Sequence, residues 1–164
     1  MVVKRIALIF VALTCFAVAF SSCKKAACKP VSIAHDYKCH ADMVAGDVTY
    51  SAVLQRGGKD AWKAKFTAPD TIKGMEVTLA SDSFTVGLGG LDYSAPKAEL
   101  PQFGVLDLVT SSLEKCISGE VKCYKNGDKV VQEGKVKGME FSAEFKKGKL
   151  KTLEIGDEVA VKIK

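Results

Sequence analysis

Apolar and polar residues alternate along most of the chain after residue 36, which is the pattern of β-strands that bury one face. Val48 to Leu54 and Trp62 to Phe66 show the alternation first, with an apolar side chain at every second position. The pair Gly57-Gly58 between them is typical of a two-residue hairpin turn. Later segments such as Met139 to Phe145 repeat the pattern, so the chain predicts about eleven short strands.

One segment, between Pro101 and Gly119, has a helical period instead. Its apolar stripe recurs at steps of three and four residues and consists of Phe103, Leu106, Thr110, Leu113 and Ile117. Proline suits an early helix position and glycine suits the stop, so we predict one helix at about 102–117. The strand connections are too short for parallel crossovers. The predicted fold class is therefore mainly β (α+β), a curled antiparallel sheet or open half-barrel with the helix against it.

The first 22 residues have the order of a secretory signal. Lys4 and Arg5 form a basic start, and an apolar run over Ile6 to Phe20 follows them. A run of about 15 residues is short for a membrane span and typical of a cleaved signal. The alternative is an uncleaved anchor helix. The predicted organisation is a signal peptide at 1–22, a lipidated tether at 23–35 and a single β-rich domain at 36–164.

The segment Phe20-Ser21-Ser22-Cys23 resembles a bacterial lipobox, although Phe20 stands where that motif prefers an aliphatic residue. The resemblance implies that Cys23 is lipidated and becomes the first residue of the mature chain. Several acyl chains on one residue provide the stable anchoring that a single chain does not. We therefore expect an exported protein held at the bacterial cell membrane by Cys23 and facing away from the cytoplasm. The alternative is ordinary cleavage that leaves Cys23 as a thiol.

Composition restricts the possible partners only after the signal is set aside. The chain has 164 residues, of which 48% are hydrophobic, and a formal net charge of +5. Lys4 and Arg5 are the only charged residues in the signal, so the remainder has 22 basic and 19 acidic side chains, a net charge of +3. Because this excess is small, we predict no nucleic-acid partner.

Two segments carry a resemblance to a known family. They are Trp62-Lys63-Ala64-Lys65-Phe66-Thr67-Ala68-Pro69 and the following Gly74-Met75-Glu76-Val77-Thr78-Leu79. Together with the lipobox and the strand meander, they resemble the LolA/LolB-like half-barrel lipoproteins. The resemblance implies binding of acyl chains, lipids or lipoproteins in an apolar concave face. The family usually begins with a helix that packs on the sheet, whereas residues 24–35 are short and polar.

The resemblance makes the inward-facing apolar residues candidates for lining a ligand site. These candidates are Trp62, Phe66, Met75, Val77, Leu79, Phe84, Val86, Phe141 and Phe145. The predicted function is a membrane-anchored lipoprotein that binds or carries an apolar ligand on its concave face. The alternative is a structural or interaction lipoprotein of the envelope, in which the same residues form a filled core without a ligand.

Four cysteines remain once Cys15 leaves with the signal and Cys23 is used by the anchor: Cys28, Cys39, Cys116 and Cys123. Export permits disulfides, and an even number is consistent with two of them in one of three pairings. Cys116 and Cys123 flank the helix exit and suit a local bridge, which leaves Cys28 to pair with Cys39. The alternative is free buried thiols.

No arrangement of residues predicts catalysis, a metal or a cofactor. The chain has neither a Gly-x-Ser-x-Gly elbow nor a Gly-x-x-x-x-Gly-Lys phosphate loop. Its two histidines, His35 and His40, both lie near the tether, which disfavours a catalytic triad. These histidines and the neighbouring Cys28 and Cys39 do not match a known zinc-ligand spacing. We therefore expect a protein that is not an enzyme.

Overall fold

The computed structural model describes residues 27–58, 61–99 and 104–164. The predicted signal at 1–22 and the lipidation site Cys23 lie outside the described residues. The described part contains one α-helix, α1, at Gly104–Ser118, and short 3-10 helices at Asp70–Ile72 and Lys97–Glu99. Strands β1 to β11 are Lys38–Ala45, Val48–Gly58, Ala61–Ala68, Glu76–Leu79, Ser83–Leu88, Leu91–Pro96, Lys122–Asn126, Lys129–Val136, Met139–Lys146, Lys149–Ile155 and Val159–Ile163.

All eleven strands form one antiparallel sheet in the order β6-β5-β4-β3-β2-β1-β11-β10-β9-β8-β7. The first and last strands are neighbours in its middle, where Met43 lies opposite Val161. Strands β6 and β7 are the two edges, and the sheet does not close on itself. The predicted fold class is confirmed: a curled, open antiparallel sheet with a single helix among the described residues.

The core lies on one side of the sheet, which we call the inner face. Residues directly opposite each other in neighbouring antiparallel strands share a face. One such row joins Leu54, Ala64 and Val77 across β2, β3 and β4, and all three are at most 1% exposed. On the other half of the sheet, Ala143 and Leu153 form a matching buried pair on β9 and β10. The predicted alternation therefore corresponds to inner-face and outer-face positions.

Helix α1 packs into the curl of the inner face and joins the two edge strands along the chain. Its buried side includes Leu106, Val109, Leu113 and Cys116, at the spacing that the apolar pattern predicts. Ser112 is also fully buried, because the curled sheet surrounds more than one side of the helix. The structure ends the helix at Ser118, one residue beyond the prediction, and Phe103 lies outside the described residues. Within the described ranges, no helix is long and apolar enough to cross a membrane.

Residues 27–35, which we call the N-terminal strap, lie against the sheet. Ala27 makes a β-bridge with Tyr124 on edge strand β7. Further along, the Val31 carbonyl accepts a hydrogen bond from Gln132 Nε2 at 3.2 Å, and Ile33 is buried in the core. The strap therefore covers the β7 edge and then crosses the inner face towards β1.

The predicted cysteine pairing is wrong. The structure has one disulfide, Cys28–Cys123, with the two Cα atoms 5.4 Å apart, and Cys39 and Cys116 are buried free thiols. Cys39 is on β1, five strands from β7, or about 24 Å along the sheet. Cys116 points into the core from the last turn of α1. Cys28 is instead brought to β7 by the strap, a long-range contact that spacing along the chain does not reveal.

The predicted Gly57-Gly58 turn is also placed differently. Both glycines belong to the end of β2, and Gly58 pairs with Ala61 on β3. The register shifts between Arg56 and Gly58, and Gly58 has a φ of 140°, which glycine adopts without the strain of a side chain. The glycines therefore accommodate a bulge in the ladder next to Arg56.

Candidate functional site

A charged residue interrupts the apolar inner face near the end of β2. Arg56 continues the series Ala52 and Leu54, so its side chain points to the same side of the sheet. The strand register places Arg56 opposite Trp62, and Trp62 opposite Leu79 on β4. Arg56 is only 6% exposed. A guanidinium this deeply buried requires partners close by.

Helix α1 supplies the counter-charge. Glu114 accepts hydrogen bonds from Arg56 Nε at 2.6 Å and from Arg56 Nη2 at 2.9 Å, which is a bidentate pair. The indole Nε1–H of Trp62 also donates to Glu114 Oε1, at 2.7 Å. One carboxylate on the helix is thereby bonded to β2 and β3 together. This fixes the position of the second half of α1 on the inner face.

The strap contributes a third element to the cluster. Arg56 Nη1 lies 3.0 Å from His35 Nδ1 and 3.3 Å from the His35 carbonyl oxygen. Because a guanidinium can only donate, Nδ1 of His35 is the acceptor of this hydrogen bond. Arg56, Trp62, Glu114 and His35 therefore form one network, which we call the Arg56 cluster.

A depression of about 580 Å³ opens beside the Arg56 cluster, between α1 and strands β2 to β4. Trp62, Leu79 and Ile117 provide its apolar walls. Lys97 and Lys115 lie at its margin, with Ser81 and Ser111 among the smaller polar residues. Arg56, Glu114 and Glu120 also line it, so the depression combines an apolar wall with charges of both signs.

The first half of α1 is held by a second charged cluster around Asp107, whose side chain is 3% exposed. Lys97 Nζ lies 2.7 Å from its Oδ1, and Lys137, in the turn after β8, bonds its Oδ2. Burial alone raises the pKa of Asp107, but the bonds to Lys137 and Lys97 outweigh burial, so this pKa lies below the ordinary carboxyl value. Asp107 is therefore ionised at neutral pH and ties α1 to the β8–β9 hairpin.

The residues predicted to line a ligand site are brought together on the inner face, and most of them are packed in the core. Trp62 and Leu79 border the depression beside the Arg56 cluster. Phe141 borders a second depression of about 740 Å³, whose other walls are largely charged. The remaining candidates belong to or pack against the continuous core, with Val86 partly exposed: Phe66, Met75, Val77, Phe84, Val86 and Phe145.

The two free thiols, Cys39 and Cys116, are unreactive at neutral pH. Burial raises the pKa of Cys116 to about 12 and also raises the pKa of Cys39. The thiolate is the reactive form, so neither side chain is a nucleophile at neutral pH. Cys28 is engaged in the disulfide and cannot supply a thiolate to a metal. Within the described ranges, no three His, Cys, Asp or Glu side chains are grouped to hold a metal ion.

The Arg56 cluster is missed by the sequence interpretation, although one signal for it is present. Arg56 occupies an inward position of an otherwise apolar alternation, and Glu114 adjoins the apolar stripe of the helix. A charged residue on a face that must be buried predicts a buried partner. The identity of that partner depends on how the helix lies across the sheet, which local periodicity does not specify.

Comparison with known proteins does not identify a family for this chain. No protein-family model matches the chain, and no curated protein is significantly similar to it in sequence.

Proposed function

We propose that this chain is an exported lipoprotein, anchored to the bacterial membrane through Cys23, that binds an apolar or amphipathic ligand on the inner face of its sheet. The observation that carries the proposal is the depression of about 580 Å³ between α1 and β2 to β4. Ligand pockets for small molecules are typically about 300–1,000 Å³. The export signal and the lipobox resemblance support the location of this binding activity at a membrane.

The chemistry of the depression favours an acyl chain that ends in an anionic group. Ile117 offers partly exposed apolar surface beside Trp62 and Leu79, which are 3% and 1% exposed, and each methylene of a ligand that is buried there contributes about 0.8 kcal/mol. The side chain of Lys115 is 38% exposed, so its ammonium can approach a carboxylate or phosphate, whereas Lys97 is already paired with Asp107 at 2.7 Å. The ion pair of Lys115 with Glu120 is long, at 3.9 Å, and leaves this ammonium available to a ligand.

The first test is whether the protein carries a ligand. The protein is expressed as residues 24–164, which lack the anchor residue Cys23. This form contains every described strand, α1 and the disulfide. Organic extraction followed by mass spectrometry is expected to recover a fatty acid or phospholipid in stoichiometric amount. A clean extract, together with no rise in melting temperature on addition of palmitate or phosphatidylglycerol, would refute ligand binding.

A titration locates the site. Trp62 is the only tryptophan of the chain and borders the depression, so palmitate bound there is expected to change its emission. Ser81→Phe is expected to fill the depression and abolish the change. Ser83→Phe is the matched control, because Ser83 lies two residues away, is exposed and does not border the depression. Equal loss of the signal in both variants would show that the ligand binds elsewhere.

A second function, protein interaction without a small ligand, is favoured by the burial of the inner face. Phe145, Leu153 and Ile155 are at most 1% exposed, so this half of the core is already filled. In this second function, a partner protein binds the outer surface or an edge of the sheet. A clean extract and an unchanged Trp62 emission would favour this function over the first.

A further inference from the structure

The N-terminal strap begins beside the outer edge of β7 and is held there covalently. Ala27 lies opposite Tyr124, and the Cys28 N–H donates to the Cys123 carbonyl at 3.3 Å, so the strap runs antiparallel to β7. Because β7 leads into the β7–β8 turn, the N-terminal direction of the strap at Ala27 points to that turn. The Cys28–Cys123 disulfide fixes this arrangement.

The anchor residue of the proposed function is close to this point along the chain. Cys23 precedes Ala27 by four residues, which span at most about 14 Å. The middle of the β7–β8 turn is three residues beyond Tyr124, about 10 Å along the strand. In the other direction, Tyr124 lies opposite Val131, and the β8–β9 turn is six residues further at Lys137, about 20 Å away. The link is therefore long enough to place the first turn at a membrane but too short to place the second one there.

The end of the sheet that the link can bring to the membrane is strongly basic. It is formed by the β7–β8 and β9–β10 turns with their flanking residues, 125–129 and 146–149, which we call the lysine end. Five of these nine residues are lysine and one is aspartate, which gives a net charge of +4. The lysines are Lys125, Lys129, Lys146, Lys147 and Lys149.

The opposite end of the same half of the sheet has the opposite charge. Its turns are 45–48, 136–139 and 155–159. They contain three acidic residues, Asp47, Asp157 and Glu158, and one lysine, which gives a net charge of −2. The single lysine, Lys137, is bonded to the buried Asp107. The charge of the domain is thus separated along the strands, with the positive end on the side of the anchor.

The fold itself does not require this concentration of lysines. Lys146 lies directly opposite both Lys129 on β8 and Lys149 on β10, and like charges in that position are destabilising. Asp128 and Glu144 pair with Lys146 and Lys129 at 2.8 and 2.6 Å, but Lys149 forms no ion pair with any described residue. Strands β9 and β10 lie inside the sheet, so their lysines do not block an exposed edge. Clustered lysines next to a membrane anchor are typical of a surface that binds anionic lipid.

We propose that the lysine end lies against the anionic surface of the membrane that holds the anchor, with the strands directed away from the bilayer. This proposal rests on the lipid anchor of the proposed function. Attraction to anionic headgroups strengthens binding about fivefold for each lysine near the surface. Lys125, Lys147 and Lys149 are exposed and, within the described ranges, without an ion pair, so their ammonium groups are available to headgroup phosphates. The acidic end then faces away from a surface that would repel it.

Vesicle binding tests the lysine end without the lipid anchor. Residues 24–164 are sedimented with vesicles of phosphatidylglycerol and phosphatidylcholine, or of phosphatidylcholine alone. Binding is expected only to the anionic vesicles and should fall as the salt concentration rises. Because this form has no acyl chain, the result does not depend on lipidation of Cys23. A protein that stays in the supernatant with anionic vesicles at low salt would overturn the proposal.

Lysine substitutions show which surface binds the vesicles. Lys147→Gln/Lys149→Gln is expected to weaken binding about 25-fold, the product of two fivefold contributions. Lys73→Gln/Lys135→Gln is the matched control, because it removes the same charge from exposed positions near the opposite end, and it should retain most of the binding. Ser81→Phe, which fills the depression, should also bind as the wild type does. Equal weakening by the two lysine pairs, or loss of binding only in Ser81→Phe, would overturn the proposal.

Fluorescence quenching in the full-length, lipidated protein tests the orientation. The described free thiols are buried and the other two described cysteines form the disulfide, so a fluorophore reacts with an introduced cysteine. In anionic vesicles with spin-labelled headgroups, the label at Asn126→Cys should be quenched and the label at Asp157→Cys should not. Equal quenching at the two sites would overturn the orientation. An intact mass without acyl chains on Cys23 would instead refute the anchor, and vesicle binding by residues 24–164 would still decide the lysine end.

Discussion

Arg56 is the residue at which sheet, helix and strap meet. Its guanidinium bonds Glu114 on α1 and His35 on the strap, and its side chain is 4% exposed. Removing one partner of such a buried pair leaves a charge without compensation, whereas replacing both with apolar residues is often neutral. The cluster is thus expected to matter more for the position of α1 than for net stability.

Removing the carboxylate of the Arg56 cluster should be costly. We expect Glu114→Ala to lower the free energy of unfolding by about 3–5 kcal/mol, because Arg56 then keeps its buried charge without its bidentate acceptor. Urea denaturation measures this change. The double variant Arg56→Leu/Glu114→Leu should recover most of the loss. If the double variant is no more stable than the single one, charge burial is not the cause.

The pH dependence of the free energy of unfolding should reveal the contribution of the ionised Asp107. The folded-state pKa of this carboxyl is lowered, so its contribution is present above the unfolded-state pKa, about 3.9, and is lost as pH falls through the folded value. The difference in unfolding free energy between the wild type and Asp107→Asn should be constant near neutral pH and shrink below about pH 4. Urea denaturation across this range measures it. A difference that grows towards acid would contradict the assignment.

At the scale of elements, the strap is part of the fold although its sequence has no regular hydrophobic period. The Cys28–Cys123 disulfide joins residues 95 positions apart, and a bridge over a loop of that length can contribute about 2–5 kcal/mol. The strap also positions His35 at Arg56. Hydrophobic periodicity does not reveal this arrangement, because the strap forms no regular element over residues 28–34 and its contacts with Cys123, Gln132 and Arg56 are distant in sequence.

Thiol counting distinguishes the observed pairing from the local one. In residues 24–164, alkylation of the denatured, unreduced protein should label only Cys39 and Cys116, and reduction should raise the number of labelled cysteines from two to four. Native protein should resist labelling because both thiols are buried and their pKa values are raised. Intact-mass measurement and peptide mapping give the count and the sites. A labelled Cys28 before reduction would exclude the Cys28–Cys123 bridge.

At the scale of the whole molecule, the prediction from sequence succeeds where information is local and fails where it is not. Alternation in segments such as Met139–Lys146 predicts strands, and short connections predict antiparallel pairing. Neither observation can place β11 beside β1, since their contact joins opposite ends of the domain. The same limitation hides Cys28 from Cys123 and Arg56 from Glu114. Sequence periodicity does not indicate which strands of the two halves become neighbours in the sheet.

The junction of β1 and β11 makes the molecule one cooperative unit, which is testable. Met43 and Val161 face each other at this junction, 1% and 3% exposed, within a core that continues across both halves. Urea transitions followed by Trp62 emission, which reports β3, and by circular dichroism, which reports all strands, should coincide.

Val161→Ala should shift both transitions together, by about 1–3 kcal/mol, because it opens a cavity in the shared core. Lys162→Ala, at the exposed neighbouring position, should change stability by less than about 0.5 kcal/mol. Transitions that separate, with Trp62 emission changing before or after the circular dichroism, would show that the halves unfold independently and that the β1–β11 junction does not unite them.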